Sequence, residues 1–251
     1  MQSASEMIRS AVLNTRPFRH VVIDDFLPSH QNAAIREDFS KVLARGEGSQ
    51  EDRTRFWHRD LLDVRIFWPA PSLEKPFSPF FSHVLFETLG TLFQLPISQD
   101  TVLAYHHYAK RSGRLHLHHD YVAGFFQEAP LGNGVNPWYF QCTHSVAPTG
   151  GTSRCMVRAL TAIYYLNPDW RPGDGGELAL FDRRSHAFPA KVIRPLNNRL
   201  VVFETSPFSV HSALPNNAPM RNSVAQFFFV RPDDARRRFP SHQCAVQFVG
   251  Y

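Results

Sequence analysis

The chain has 251 residues, of which 43% are hydrophobic and 13% aromatic, and this composition excludes a disordered chain. Its 27 basic and 22 acidic residues give a net charge of +5, without the basic clusters typical of nucleic-acid binders. The densest basic run, Arg236-Arg237-Arg238, follows Asp233 and Asp234, so we interpret it as a solvated turn. The length fits one structural domain.

The N-terminus lacks the apolar core of a signal peptide, and no apolar run approaches the roughly 20 residues that span a bilayer. The three cysteines, Cys142, Cys155 and Cys244, lack metal-ligand spacing and are expected to be reduced thiols. We therefore expect a cytoplasmic protein that binds neither membrane nor nucleic acid. An edge strand or the N-terminal helices could support a homodimer.

Residues 1–98 are predicted to form a strand and two helices that pack on the outside of a sheet. The strand lies within residues 17–27, and the first helix runs from Ser29 to Gly46. The second helix begins near Ser78-Pro79 and ends at about residue 94. Neither helix contains a set of residues that could carry catalysis.

From residue 101 the hydrophobic period changes to two, which predicts short strands throughout residues 99–251. Thr101–Tyr108 and Leu115–Val122 are predicted to form a hairpin, and further strands follow from Leu160 to the C-terminus. Many short strands separated by turns are typical of a sandwich, jelly roll or barrel. Residues 123–159 are too long for an ordinary connection, and their aromatic residues favour a lid insertion over disorder.

The sequence His118-His119-Asp120 carries the strongest chemical signal. Residues i and i+2 of a strand point to the same face, so His118 and Asp120 present an imidazole and a carboxylate together. These are two members of the 2-His-1-carboxylate triad that binds non-haem Fe(II), and His211 is the best third candidate. His116 also lies on this face and could form a cupin-like pair with His118, although the spacing to the next acidic residues fits a cupin poorly.

Arg221 follows His211 by ten residues and shares one strand face with Ser223 and Ala225. An arginine that points into a protein is costly unless it pairs with an anion. Its planar guanidinium suits a carboxylate, so Arg221 is a candidate anion-binding residue.

From about residue 101 to 231 the chain resembles the catalytic domain of prolyl-4-hydroxylase-type 2-oxoglutarate- and Fe(II)-dependent oxygenases. Four motifs occur in the order that this family shows. They are His118-His119-Asp120, the block Leu160–Asn167 followed by Trp170 and Gly175-Gly176-Glu177-Leu178, the strand Asn198–Phe203, and His211 followed by Arg221.

The resemblance implies a mainly β (α+β) fold, a double-stranded β-helix or jelly roll flanked by the N-terminal helices. It implies that His118, Asp120 and His211 bind Fe(II), that 2-oxoglutarate chelates the iron, and that O2 takes the remaining position. Arg221 would then bind the distal carboxylate of 2-oxoglutarate. Tyr108 and Tyr165 match family tyrosines that hydrogen-bond the same cosubstrate, and Ser223 could add a hydrogen bond to the distal carboxylate. Related halogenases lack the carboxylate that Asp120 supplies, so we expect hydroxylation.

The sequence indicates an enzyme that hydroxylates an unactivated C–H bond of a small molecule, such as an amino acid or a biosynthetic intermediate, and releases succinate and CO2. Candidate substrate residues lie in the long segment 123–159: Phe125, Trp138, Arg154 and Arg158. A peptidyl or protein hydroxylase of prolyl type is the alternative. It would be favoured by a long open groove and disfavoured by a closed, small pocket. A non-catalytic or cupin-like metal-binding jelly roll is the second alternative.

Overall fold

The computed structural model describes residues 3–46, 56–59, 64–67, 76–113, 116–128, 130–137, 139–140, 153–182, 187–242 and 247–248. Four α-helices lie in these ranges: α1 (Ala4–Ser10), α2 (Ser29–Arg45), α3 (His83–Phe93) and α4 (Pro232–Arg238), with a 3-10 helix at Ser78–Phe81. The strands are β1 (His20–Ile23), β2 (Phe56–Arg59), β3 (Val64–Phe67), β4 (Thr101–Ala109), β5 (His118–His119), β6 (Ala123–Gln127), β7 (Tyr139–Phe140), β8 (Ser153–Tyr165), β9 (Leu178–Leu180), β10 (Lys191–Ile193), β11 (Leu200–Glu204), β12 (His211–Ala213), β13 (Met220–Val230) and β14 (Gln247–Phe248).

The described strands form two antiparallel sheets that pack face to face. The larger sheet has the order β1-β11-β8-β13-β4-β3-β2, with β6 beside β8 and β7 beside β6. The smaller sheet has the order β10-β9-β12-β5-β14. Between them, Tyr165 and Phe203 of the larger sheet pack with Leu178 and Leu180 of the smaller one. This arrangement agrees with the predicted jelly roll.

The predicted helices cover the outer face of the larger sheet, as expected. Phe39 of α2 contacts the ring of Tyr105 at a centroid distance of 4.3 Å, and Phe86 of α3 contacts Phe228 at 5.0 Å. The second helical region is divided, because the 3-10 turn that contains Pro79 precedes an α-helix that begins only at His83. The helices therefore leave the inner face of the sheet to the functional site.

The predicted hairpin between Thr101–Tyr108 and Leu115–Val122 is wrong. β4 belongs to the larger sheet, whereas β5 pairs with β12 and β14 in the smaller one. The turn after β4 thus carries the chain from one sheet to the other, and Arg111 takes the left-handed conformation there at φ 65°. Alternation of apolar residues indicates which face a side chain occupies but not which strand lies beside it.

The described parts of the segment 123–159 include strands β6 and β7 and the start of β8, and the lid insertion stays a prediction. β6 and the start of β8 pair from Ala123↔Val157 to Gln127↔Ser153 and extend the larger sheet. The remaining residues of the predicted lid, 129, 138 and 141–152, lie outside the described ranges.

The N-terminal part of the chain adds strands to the larger sheet, since β1 pairs with β11 and β3 pairs with β4. The predicted boundary at residue 98, between the N-terminal part and the catalytic core, stays a prediction.

The basic run Arg236–Arg238 ends helix α4, where its guanidinium groups pair with Asp233, Asp234 and Glu204. Within the described ranges, every helix is too short or too polar to cross a bilayer.

Asn198 ties the turn before β11 to the entry of α2, and its removal should destabilise the fold. Its side chain accepts hydrogen bonds from the Leu27 backbone N–H (2.9 Å) and the Tyr164 hydroxyl (2.7 Å) and donates to the Leu27 carbonyl (2.8 Å). Asn198→Ala leaves these buried groups unpaired, so we expect a loss of about 3 kcal/mol in the free energy of unfolding, measured by urea titration. The matched variant Asn217→Ala, at an exposed position, should change it by less than about 0.5 kcal/mol. Equal values for the two variants would contradict this role.

Candidate metal centre

His118, Asp120 and His211 meet where β5 and β12 pair. The two strands run antiparallel with His118 directly opposite His211, so the imidazole rings lie 4.4 Å apart between centroids. Asp120 follows β5, and its two carboxylate oxygens each lie 3.7 Å from the Nε2 of one histidine. One potential ligand atom from each residue lies within 4.8 Å of the others. The predicted triad is thus brought together.

Both histidines present the nitrogen that a metal needs. Nδ1 of His118 lies 2.7 Å from the His116 carbonyl, and Nδ1 of His211 lies 2.9 Å from the Ser209 carbonyl. A carbonyl can only accept, so each Nδ1 carries the proton and each Nε2 offers a lone pair toward Asp120.

The electrostatics of the cluster keep it in the ligating form. Burial lowers the pKa of His211 to about 4, and the neighbouring His118 acts in the same direction, so this imidazole is neutral at pH 7. Burial alone would raise the pKa of Asp120, but the Arg158 guanidinium and the adjacent imidazoles outweigh it and hold that pKa below its usual range. Imidazole nitrogens and an ionised carboxylate on one side of a cavity are a donor set that suits Fe(II).

Arg158 is the one predicted substrate residue that reaches this cluster in the part of the chain that the structure describes. Its Nη1 lies 3.2 Å from Asp120 Oδ1, and its guanidinium carbon lies 3.7 Å from the centroid of the Phe227 ring. Arg158 shares the inner face of β8 with Thr161 because the register with β13 shifts between Phe228 and Phe229.

Arg221 forms a second cluster on the inner face of β13. Its Nε donates to the Gly176 carbonyl at 2.5 Å and its Nη2 to the Tyr165 hydroxyl at 3.3 Å. The guanidinium carbon lies 4.7 Å from the ring centroid of Tyr108, which is directly opposite Arg221 on β4. Ser223 lies two residues further along the same face. The residues predicted to bind the cosubstrate are therefore neighbours.

Arg221 is only 3% exposed. No described carboxylate forms an ion pair with its guanidinium, which donates hydrogen bonds to a carbonyl and a hydroxyl. A buried cation without a counter-ion is costly, so this position fits an anionic ligand. Gly176 permits the close approach, because a Cβ atom at this residue would lie 2.9 Å from the Arg221 Cδ.

One cavity of about 70 Å³ joins the two clusters. Its lining contains the triad, Arg221, Tyr108 and Ser223, together with His106, Ile163 and Phe227, which the sequence had not assigned to the site. Tyr165 is not part of this lining and contacts Arg221 through its hydroxyl. His106 and Ile163 share strand faces with Tyr108 and Tyr165, so alternation could have found them. The arrangement can hold a metal at one end and an anion at the other.

Two other predicted substrate residues, Phe125 and Arg154, do not line this cavity. Phe125 is in register with Cys155, whereas Arg154 is in register with Phe126, so Phe125 points to the opposite face of the sheet from Arg154. Arg154 pairs with the buried Asp100 at 2.6 Å. Trp138 lies outside the described residues. The cupin-like pair also fails, because His116 is not a member of the cluster and supplies only its carbonyl to His118.

Residues 103–229 match the family model of the 2OG-Fe(II) oxygenase superfamily, which is more than half of the chain. The chain belongs to this superfamily. The predicted class, a 2-oxoglutarate-dependent hydroxylase, is thereby confirmed, as are Fe(II), 2-oxoglutarate and O2 as cofactor, cosubstrate and oxidant.

Solved structures of prolyl 4-hydroxylases share the fold. The enzyme from Pseudomonas putida matches with a TM-score of 0.56 and 17% identity, covering 91% of this chain and 99% of that chain. One from Phytophthora capsici matches with a TM-score of 0.59 and 20% identity, covering 94% of this chain and 70% of that one. At 17% and 20% sequence identity, this structural similarity is evidence for the fold alone.

Sequence relatives match over a shorter region. The mouse protein named prolyl 3-hydroxylase OGFOD1 is 35% identical over 77 residues, which are 29% of this chain and 14% of that protein. Its Xenopus laevis counterpart is 36% identical over 76 residues, which are 28% of this chain and 15% of that protein. The chain therefore spans about one seventh of the length of these curated relatives.

Replacing His211 should abolish metal binding, whereas replacing His116 should not. Loss of even an outer partner of a ligating histidine weakens metal binding roughly 10- to 100-fold, so His211→Ala should weaken Fe(II) binding by more than about 100-fold. His116→Ala keeps the backbone carbonyl that orients His118 and should bind as the unaltered protein does. Anaerobic calorimetric titration with Fe(II) measures both. A larger loss in His116→Ala than in His211→Ala would restore the cupin-like alternative.

Proposed function

We propose that the chain is an Fe(II)- and 2-oxoglutarate-dependent hydroxylase that acts on a prolyl residue of a peptide or protein. The observation that carries this proposal is a groove of about 740 Å³ further along β8, lined in part by Arg154 and Met156. The cavity between the triad and Arg221 measures about 70 Å³ and is assigned to the cosubstrate. The substrate would therefore approach the metal site from outside this cavity.

In this proposal His118, Asp120 and His211 bind Fe(II) on one side and leave its other positions open. With 2-oxoglutarate and O2, the bound iron supplies the oxidant that hydroxylates a C–H bond and yields succinate and CO2. The residues of the chain keep the ligands in their binding form: two backbone carbonyls fix the histidine tautomers, and Arg158 holds Asp120 ionised.

Arg221 binds the distal carboxylate of 2-oxoglutarate, which would supply the counter-ion that the buried guanidinium lacks in the described chain. Tyr165 and Tyr108 flank that guanidinium, and their hydroxyls can donate to the same carboxylate. Ser223, the next inward residue of β13, adds a further donor. Burial raises the pKa of the Tyr165 hydroxyl, so this hydroxyl remains protonated and able to donate.

A larger groove of about 740 Å³ supports a peptide as substrate. Arg154 and Met156 line this groove and share one face of β8 with Arg158, which contacts Asp120. The distance along the strand from Arg158 to Arg154 is about 13 Å, which corresponds to four extended residues. A peptide chain in this groove would therefore reach from Arg154 toward the metal site.

Arg158 is placed to hold such a peptide. Its Nη1 faces Asp120, but its buried Nε has no hydrogen-bond partner among the described residues. A peptide carbonyl would satisfy that donor, and a buried donor without a partner is costly. Arg158 would then position the substrate backbone beside the carboxylate that binds iron.

Comparison with known proteins favours the same substrate class. The relatives bear the name prolyl 3-hydroxylase, and a structural neighbour from Trichoplax adhaerens is described as a prolyl hydroxylase in complex with a peptide fragment of hypoxia inducible factor. The small-molecule substrate expected from the sequence has no comparable support. The groove, rather than a closed pocket, is the structural reason to prefer the peptide.

Arg221→Ala should weaken 2-oxoglutarate binding by about 10- to 150-fold. Hydrogen bonds to a charged group contribute about 1.5–3 kcal/mol, which is the basis of this range. The measurement is an anaerobic titration of the Fe(II)-loaded protein, followed by the charge-transfer absorption band that 2-oxoglutarate produces. Arg194→Ala, which removes an exposed arginine, is the control and should leave the dissociation constant unchanged. An unaltered constant in Arg221→Ala would reject the anchor role.

A proline-containing peptide should stimulate succinate formation by at least about tenfold and gain the mass of one oxygen atom. Free proline and other amino acids should not stimulate, because they are too short to span the groove from Arg154 to the metal site. Arg158→Lys should raise the KM for the peptide about tenfold, the loss of roughly 1.4 kcal/mol from one hydrogen bond, and Arg194→Ala should not.

If a small molecule stimulated succinate formation and no peptide did, the substrate would be a small molecule and the proposal would be wrong. Iron binding without any consumption of 2-oxoglutarate would support the non-catalytic alternative.

A further inference from the structure

His106 is a polar residue in the wall of the cavity to which the proposed function gives no role. It lies on β4 directly opposite Ser223 of β13, two residues from the Tyr108↔Arg221 pair. Its side chain shares the inner face with Tyr108 and lines the cavity that contains the triad. Two residues along a strand cover about 7 Å, so His106 is displaced by that distance from the Arg221 cluster.

The displacement is toward the metal ligands. Phe227, three inward positions beyond Arg221 on β13, contacts the guanidinium of Arg158, which in turn contacts Asp120. His106 and Ser223 occupy the first of these positions after Arg221. The charges of both Arg221 and Asp120 act on the His106 imidazole. The ring therefore lies between the anion-binding end of the cavity and the metal-binding end.

The imidazole of His106 has no hydrogen bond to any residue that the structure describes, although most of this residue is buried. Its chain neighbour His107 points to the other face and lies within 2.7 Å of the Asn222 side-chain oxygen. The two adjacent histidines thus differ in their hydrogen bonding. His107 is held by the protein, and His106 presents unused polar atoms to the cavity.

His106 is not a fourth metal ligand in this arrangement, because the clustered donor atoms belong to His118, Asp120 and His211. Burial, followed by the charge of Arg221, lowers the pKa of His106 to about 4, so its ring is neutral at pH 7. A neutral imidazole offers one N–H donor and one acceptor. It can hydrogen-bond an anionic ligand without adding a second buried cation beside Arg221.

We propose that His106 binds the keto-acid end of 2-oxoglutarate, by donating a hydrogen bond to the carboxylate that lies next to the metal. This inference rests on the proposed function, which assigns the distal carboxylate to Arg221, Tyr108, Tyr165 and Ser223. The distal carboxylate of 2-oxoglutarate then already has its hydrogen-bond donors. His106 lies nearer the metal ligands, so it is placed to bind the carboxylate at the keto-acid end. His106 fixes the orientation of the keto acid in the cavity.

The test uses the 251-residue chain loaded with Fe(II) under anaerobic conditions, with 2-oxoglutarate as the probe. His106→Leu keeps a similar volume but removes the donor, and it should raise the dissociation constant of 2-oxoglutarate about tenfold. It should also shift the maximum of the charge-transfer band, because the hydrogen bond acts on the chelating group. His106→Gln returns an N–H donor and should bring the constant back to within about threefold of the unaltered protein. His107→Leu is the matched control on the opposite face and should leave both constant and band unchanged.

Two results would overturn the inference. An unchanged constant and band in His106→Leu would show that the imidazole does not contact the keto acid. A tenfold loss of Fe(II) affinity in the absence of 2-oxoglutarate would place His106 in the metal site instead. Failure of the proposed function is distinguishable from either, since the unaltered protein would then produce no band with 2-oxoglutarate.

Discussion

The pairing of His118 with His211 across two adjacent antiparallel strands is the constraint on which the site depends. Backbone hydrogen bonds of the smaller sheet set the separation of the two imidazoles, and each ring is further fixed by a carbonyl two residues earlier in its own chain. A slip of one residue in this register would turn one ring to the other face of the sheet. The short strands β5 and β12 lie inside the smaller sheet, between β9 and β14, which opposes such a slip.

The charged side chains at the two ends of the cavity differ in whether a counter-ion balances them. At one end the carboxylate of Asp120 is balanced by Arg158. At the other end Arg221 is buried against a carbonyl, a hydroxyl and two aromatic rings. An anion that spans the cavity would supply the missing counter-charge, and a metal would complete the triad. Since buried charges are costly without partners, the empty cavity is less favourable than the liganded one.

Periodicity alone placed several side chains correctly. His118 and Asp120 point to one side of their strand, and Arg221 and Ser223 point to one side of theirs, because i and i+2 positions of any strand share a face. Periodicity could not show that β4 and β5 belong to different sheets, nor that residues after Asp120 extend the larger sheet. Arg158 is the clearest case. It is an odd number of residues from Tyr165, yet it shares the inner face of the sheet because the register with β13 shifts between Phe228 and Phe229.

The sequence by itself determined the chemistry of this protein: the ligand types, their spacing along the strands and the family to which the four motifs belong. These features are local, because a strand fixes the direction of its own side chains. Only the tertiary structure decided which strands meet, that Phe125 turns away from Arg154, that His106 lines the cavity and that Arg158 contacts Asp120. Those facts depend on sheet pairing and on a register shift between distant residues, and the order of residues along one strand carries no information about either.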